Sequence, residues 1–197
     1  MPNTSANVGY IQPTYKPDVL EGAALQDFLH DWLVGVSGVE KPMIRPRWQP
    51  EPPNIPDVNT DWMAFGITER DSNTFPFEGH DGTDLGHNVM IRHEQLTVLI
   101  SVYGPNADIT AHLIRENAMV AQNREVLFKK GFSIKSIEGM RSAPEIIKQQ
   151  WMYRLDFAVI FNRKIKIVYP ILNIASTEAT ITSDSNSYQT SVVVNSD

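Results

Sequence analysis

The sequence predicts an α+β fold, an antiparallel sheet with helices packed on one of its faces, plus extended N- and C-terminal arms. Three patterns carry that expectation. Leu25, Phe28, Leu29, Trp32 and Val36 recur at the spacing of one helix face. Leu96, Val98, Ile100 and Val102 alternate with Thr97, Leu99, Ser101 and Tyr103 at the period of a half-buried strand. Trp151, Tyr153, Leu155, Phe157, Val159 and Phe161 repeat that period, with Met152, Arg154, Asp156 and Ala158 on the opposite face.

Taken in order, residues 1–17 are polar and turn-prone, with Pro2, Pro13 and Pro17 between Tyr10, Ile11 and Tyr15, and form an arm. Asp18 is placed to cap the first helix, with Glu21 three residues on in a carboxylate variant of the capping box, and Gly35 or Gly38 ends it. Six of the thirteen prolines fall between Pro42 and Pro56. Each removes an amide donor and extends its predecessor, so this stretch is a stiff polyproline-like crossing and neither helix nor central strand. Trp62 to Thr68 is a short strand, and Glu69 to Asn88, rich in Gly, Asp, Asn and Thr, is a loop. Val89 and Ile91 begin the strand that runs through Val102, or one just before it. Gly104, Pro105 and Asn106 stop it, and Asn106 can cap a second helical region.

In that region the apolar pairs Leu113/Ile114, Val120/Ala121 and Leu127/Phe128 recur every seven residues, which predicts one helix or two consecutive helices lying on a sheet. Lys129, Lys130 and Gly131 close it, cations at the negative end of the dipole and glycine past the last turn. Ser142, Pro144 and Glu145 predict a short helical turn begun by a capping box. The parity of the 151–161 strand resumes at Ile165, Ile167, Tyr169 and Ile171. A single strand of that span would be about 70 Å long, so a break or bulge is expected at Asn162, Arg163 and Lys164. From Ser176 to Asp197 twelve of twenty-two residues are Ser, Thr or Asn, a polar tail in which Val192, Val193 and Val194 are best suited to add a strand to a neighbour. The expected division is an arm at 1–17, a compact domain at 18–172 and a polar tail at 173–197.

Composition closes several function classes. Across 197 residues, 17 basic and 23 acidic side chains give 17 − 23 = −6, and there is no cysteine. Disulfides, thiolate zinc sites, cysteine nucleophiles and iron–sulfur ligation are therefore excluded. The acidic balance argues against a surface that coats nucleic acid generally. The N-terminus lacks the charged and apolar regions of a secretory signal, and no apolar run approaches the roughly 20 residues of a membrane helix. A protein made and kept in a cytoplasm is expected.

Motifs for catalysis are missing. His93, Glu94 and Thr97 begin like a zincin helix, but Thr97 stands where the second histidine is needed. His80, Asp81, Asp84 and His87 crowd one loop without the alternating acidic pattern of a calcium site. His30 and His112 lie on helices and read as surface or boundary residues. Phosphate-cradling glycine loops and a hydrolase elbow are absent. No catalytic residue, cofactor or metal is expected. The alternatives kept open are a metal-dependent hydrolase using His80, Asp84, His87 and His93, and an adaptor module working through Pro50–Pro53, a P-x-x-P match. Arg154 with Asp156, and Arg124 with Glu125 beside Gln122, read as salt-bridged surface or as an intersubunit polar cluster. Trp48, Trp62, Tyr103 and Trp151 are each expected in the core, with an interface as the alternative.

Five stretches, in order, give the chain a resemblance to phage neck terminator, or tail terminator, proteins. They are Ile44–Pro53, Asp61–Ile67, His93–Pro105, Gln122–Glu125 and Trp151–Asp156, with Tyr169–Ile171 beyond. The resemblance spans most of residues 20–172 and leaves both ends outside it. It implies an α+β subunit of a hexameric ring that stops tail-tube polymerisation and joins the tail to head-side connector or neck proteins. It also implies a virion protein of the neck and tail, assembled in the bacterial host cytoplasm, with no membrane association. DNA would pass through the lumen without specific binding. With the polar and aromatic residues already named, the candidate interface residues are Arg45, Arg47, Trp48, Trp62, Tyr103, Gln122, Arg124, Glu125, Arg154 and Asp156.

Overall fold

The computed structural model describes residues 3–14, 20–174, 176–182 and 189–195. The chain divides into two compact units, one of Asp18–Pro76 with Arg92–Ile165, the other of Met1–Pro17, Phe77–Ile91 and Lys166–Asp197.

The larger unit is the α+β body. Helix α1 (Gly22–Ser37) ends at Gly38, whose φ of 70° needs a residue without a Cβ. The expected cap Asp18 lies outside the described residues. Glu21 occupies the N-cap position but makes no capping bond; its carboxylate is drawn away to Arg70 and Arg163. The proline-rich crossing contains a short 3-10 turn (Lys41–Met43) and strand β1 (Ile44–Pro46). β1 joins the sheet at its edge and not at its centre; at an edge proline's missing donor costs no ladder bond. Strand β2 (Trp62–Ser72) runs past the predicted end at Thr68 because its outer half pairs with β4 (His87–Tyr103) through polar, exposed residues that carry no apolar alternation. Helices α2 (Ala107–Met119) and α3 (Ala121–Phe128) break at Val120, whose ψ of 130° is extended.

Strands β5 (Phe132–Ile137), β6 (Arg141–Ser142) and β9 (Arg154–Tyr169) complete the sheet, and β7 (Glu145–Ile147) pairs with β8 (Gln150–Met152) as a separate hairpin. The strand order is β1-β2-β4-β9-β5, with β6 beside β9. Strand β2 runs antiparallel to β4, and β5 and β6 run antiparallel to β9, whereas β1 lies parallel to β2. Two expectations fail here. Ser142–Glu145 starts no helical turn: Glu145 is spent on Arg154, and Lys148 and Gln149, both at positive φ, make the tight turn of a hairpin. The break foreseen at Asn162–Lys164 is absent, since Ser133 and Phe132 pair in register with Asn162 and Arg163. The interruption falls instead at Tyr153, and the irregularity of the β5–β9 pair lies on β5, between Ile134 and Ser136.

All three helices cover one face of the sheet. Leu25, Leu29, Trp32, Leu33 and Val36 of α1, Ala111, Ile114 and Ala118 of α2, and Leu127 of α3 meet Met63, Phe65, Leu96, Val98, Ile100, Val102, Leu155, Phe157, Val159 and Phe161. Trp32 stands edge-on to Phe161, ring centroids 5.2 Å apart. At the end of this layer Arg163 is buried, and its guanidinium is satisfied by Glu94, Glu21 and the Leu20 carbonyl. Burying a guanidinium is tolerable only with that degree of pairing.

The smaller unit holds strand β3 (Phe77–Asp81), paired with the first residues of β4 where a loop had been expected. The alternation there is of exposed residues, so no buried face marked it. Ser5 and Thr14 of the predicted arm donate backbone bonds to the carbonyls of Pro170 and Val168. In the predicted tail, β10 (Ser176–Thr182) and β11 (Gln189–Asn195) pair with each other, so Val192–Val194 lie opposite Thr177–Ala179 of the same chain.

Candidate functional site

Strand parity builds a second surface on the face of the sheet away from the helices. Met63 and Phe65 enter the core, so Trp62, Ala64 and Gly66 of β2 point the other way, as do Ser101 and Tyr103 of β4 and Asp156 of β9. Trp62, Ala64, Tyr103 and Met152 form a small buried cluster there, with Met43, Val58 and Ile147 against it.

Trp62 and Tyr103 are cross-strand partners, and their rings stack at 4.0 Å with planes 4° apart. Arg45 places its guanidinium carbon 5.4 Å from the Trp62 ring centroid, and Arg154 places its own 5.6 Å from that of Tyr103. Each stacked ring thus has one guanidinium within reach of its quadrupole, Arg45 at the indole and Arg154 at the phenol. Burial pushes the Tyr103 hydroxyl above its usual range, with the nearby Arg154 charge acting against it.

A polar chain runs beneath the stack. Arg47 donates through Nη2 to Ser101 Oγ, and Ser101 donates to Asp156 Oδ1. Asp156 also takes both Nε and Nη2 of Arg154 at 2.7 Å, a bidentate pair, and Arg154 Nη1 reaches Glu145 Oε2 at 3.1 Å. The Asp156 bond is the main reason Arg154 is held even more basic than a free guanidinium, burial opposing it. Ser101 is fully buried and spent on these two bonds, with no imidazole among its partners.

Beside the stack lies a groove of about 400 Å³ lined by Arg45, Arg47, Trp48, Pro52, Pro53, Ile55 and Trp62 among others. Trp48 sits at a φ of 58° and its six-membered ring packs close to Gly66; a Cβ there would come 2.6 Å from Trp48 Cζ3. Only a glycine lets the indole approach this closely. Arg45 Nε, Arg47 Nε and Trp62 Nε1 are buried without an acceptor among the described residues. The exposed Trp48 ring supplies aromatic surface and the two guanidinium groups supply positive charge, chemistry suited to holding a partner's apolar groups and carboxylates.

Of the residues named from sequence, Arg45, Arg47, Trp48, Trp62, Tyr103, Arg154 and Asp156 converge on this face. Gln122, Arg124 and Glu125 lie on α3, in the helical layer that covers the other face. Glu125 pairs there with Lys129 at 3.0 Å, not with Arg124. The expectation of four core aromatics holds for Trp62 and Tyr103, 7% and 5% exposed, and fails for Trp48 and Trp151, 70% and 69% exposed. Trp151 belongs to the β7–β8 hairpin, in which its neighbour Met152, on the side of the Trp62 cluster, is the buried residue. Asn106, expected to cap α2, instead donates through its side chain to Asp61 Oδ2 at 2.8 Å. Sequence reading missed Ser101, Glu145 and Gly66. Ser101 was legible as the polar member of an apolar strand; Glu145 had been assigned to a cap.

The loop histidines make no metal centre: among the described residues no group of three or more acidic or histidine side chains could hold an ion. His93 is in β4, and His87 approaches Asp81 at 3.6 Å. No helix among them is long and apolar enough to cross a membrane.

A family model described as phage neck terminator protein matches residues 23–186. No curated protein matches the chain.

Proposed function

The chain belongs to the phage neck terminator protein family, and from that membership we propose that it is a structural virion protein whose subunits close into a ring, hexameric in its simplest form. The ring ends polymerisation of the tail tube and joins the tail to the head-side connector or neck proteins. The protein works by assembly and not by catalysis. The observation that carries the reading is the family match over residues 23–186. The cation–aromatic face gives it physical support. Tryptophan and arginine are among the side chains most enriched where protein interfaces hold their binding energy, and here they meet beside a groove that exposes Trp48. A closed ring uses heterologous contacts, one surface against a different one, and the two faces of this sheet differ in that way.

Purified protein added to growing tail tubes should cap them and fix their length, and negative-stain images should show a ring on the capped end. Tubes that elongate unchanged in its presence, with no ring bound, would refute the assignment. A mass measurement in solution complements this test, because a ring that closes only on its tube is monomeric alone.

A further inference from the structure

Six exposed apolar residues of α2, α3 and the break between them belong to no core: Ile109, Leu113, Met119, Val120, Val126 and Phe128. The seven-residue pairing seen in the sequence buries one member of two of its pairs, Ile114 and Leu127, and leaves Leu113 and Phe128 outside. Along α2, Ile109, Leu113 and Glu116 follow at i, i+4 and i+7, with Val120 at the helix end, so the four form one outward ridge. The ridge is apolar but for a single carboxylate, and Glu116 has no ion-pair partner among the described residues.

The groove on the opposite side of the sheet has the converse character. Its apolar wall is Trp48, Pro52, Pro53 and Ile55; its charged wall is Arg45 and Arg47; among the described residues no carboxylate lines it. Neither arginine takes part in a salt bridge among the described residues; Arg45 donates to the Asn54 carbonyl and Arg47 to Ser101, so both keep their charge without a carboxylate beside them. A ridge with one free carboxylate and a groove with two guanidinium groups that pair with no carboxylate are complementary in shape class and in charge.

We propose that the α2 ridge of one copy docks into the Trp48 groove of the next, with Glu116 facing Arg45 and Arg47. This rests on the ring reading above and names its two contact surfaces. The occupant is a second copy because both surfaces lie in the same α+β unit on opposite faces of one sheet. Each copy then offers its ridge to one neighbour and its groove to the other, the head-to-tail contact by which a ring closes.

The absence of cysteine allows a direct test. Ile55→Cys and Leu113→Cys variants are mixed and oxidised, in solution and on tail tubes. The mixture should give disulfide-linked dimers and each single variant alone should not, while the double variant should give a ladder that ends at the size of the ring. In a second arm, Leu113→Asp with Val120→Asp should weaken assembly at least tenfold and leave the thermal midpoint nearly unchanged, since both side chains are exposed. Assembled particles without the mixed cross-link, cross-linking by either single variant alone, or capture of the tube protein by Leu113→Cys would overturn the docking and leave the ring standing. Absence of any association between copies, free or on tubes, would overturn both.

Discussion

Phe157 lies in the layer between β9 and the helices at 2% exposure, and its ring has no route to water in the folded chain. Phe157→Ala removes that burial and leaves a cavity, at an expected cost of about 3–5 kcal/mol. Trp151, six residues earlier and of the same parity, is mostly in solvent, and Trp151→Ala should change stability by less than about 1 kcal/mol. Thermal or denaturant unfolding of the two variants checks this; equal losses would mean that the hairpin buries its tryptophan. Parity alone could not separate them. Parity is kept across Tyr153: Met152 shares the side of Asp156 and is buried in the Trp62 cluster, whereas Trp151, in the separate β7–β8 hairpin, is exposed. Nothing in a one-dimensional pattern marks where the covered part of a face ends, because tryptophan is acceptable on either side of that boundary.

At the scale of elements, the smaller unit contains a clamp that depends on protonation. His80 of β3 has its Nδ1 2.6 Å from Asn88 Oδ1 and its Nε2 2.8 Å from Asn173 Oδ1. Both amides are oriented by their own NH2 groups, Asn88 toward the Glu78 carboxylate and Asn173 toward the carbonyls of Gly82 and Asp84. Both ring nitrogens must therefore donate, which only the imidazolium can do. The bond to Asn88, then that to Asn173, raise the pKa of His80 above its ordinary 6.5, with desolvation opposing and the Asp81 charge adding to the rise. A raised folded pKa means that the clamp's contribution is complete below about pH 6.5 and is lost as pH rises through the folded value. An NMR titration should show His80 titrating above the free imidazole, with Asn173 amide exchange quickening as the proton leaves. His80→Gln should abolish that pH dependence. A histidine titrating at or below 6.5 would contradict the double donation. The sequence placed His80, Asp84 and His87 in one loop, but Asn173 lies 93 positions from His80 and enters only through folding.

For the whole molecule, the charge of −6 bears on DNA. Counterion release rewards a surface that matches phosphates with Lys and Arg, and the guanidinium groups of the sheet face are stacked on aromatics or bonded to side chains and a backbone carbonyl. Duplex DNA should therefore bind more weakly than about 10⁻⁴ M at physiological salt, the weak end of ordinary non-specific affinity. Fluorescence anisotropy with a labelled duplex measures this, and micromolar binding with a steep salt slope would defeat the idea of a lumen that lets DNA slide. The sequence by itself determined the α+β class, the helix over residues 25–36, the long strands with their buried parity, and the absence of every cysteine-based chemistry. These are local periodicities and inventories, and each is written in consecutive residues. The tertiary structure alone decided which side of the sheet the helices cover, that Arg47, Ser101, Asp156, Arg154 and Glu145 form one chain of bonds, and that the α2 ridge stays uncovered. Those depend on register between strands far apart in the chain, where a shift of one residue turns every side chain to the other face.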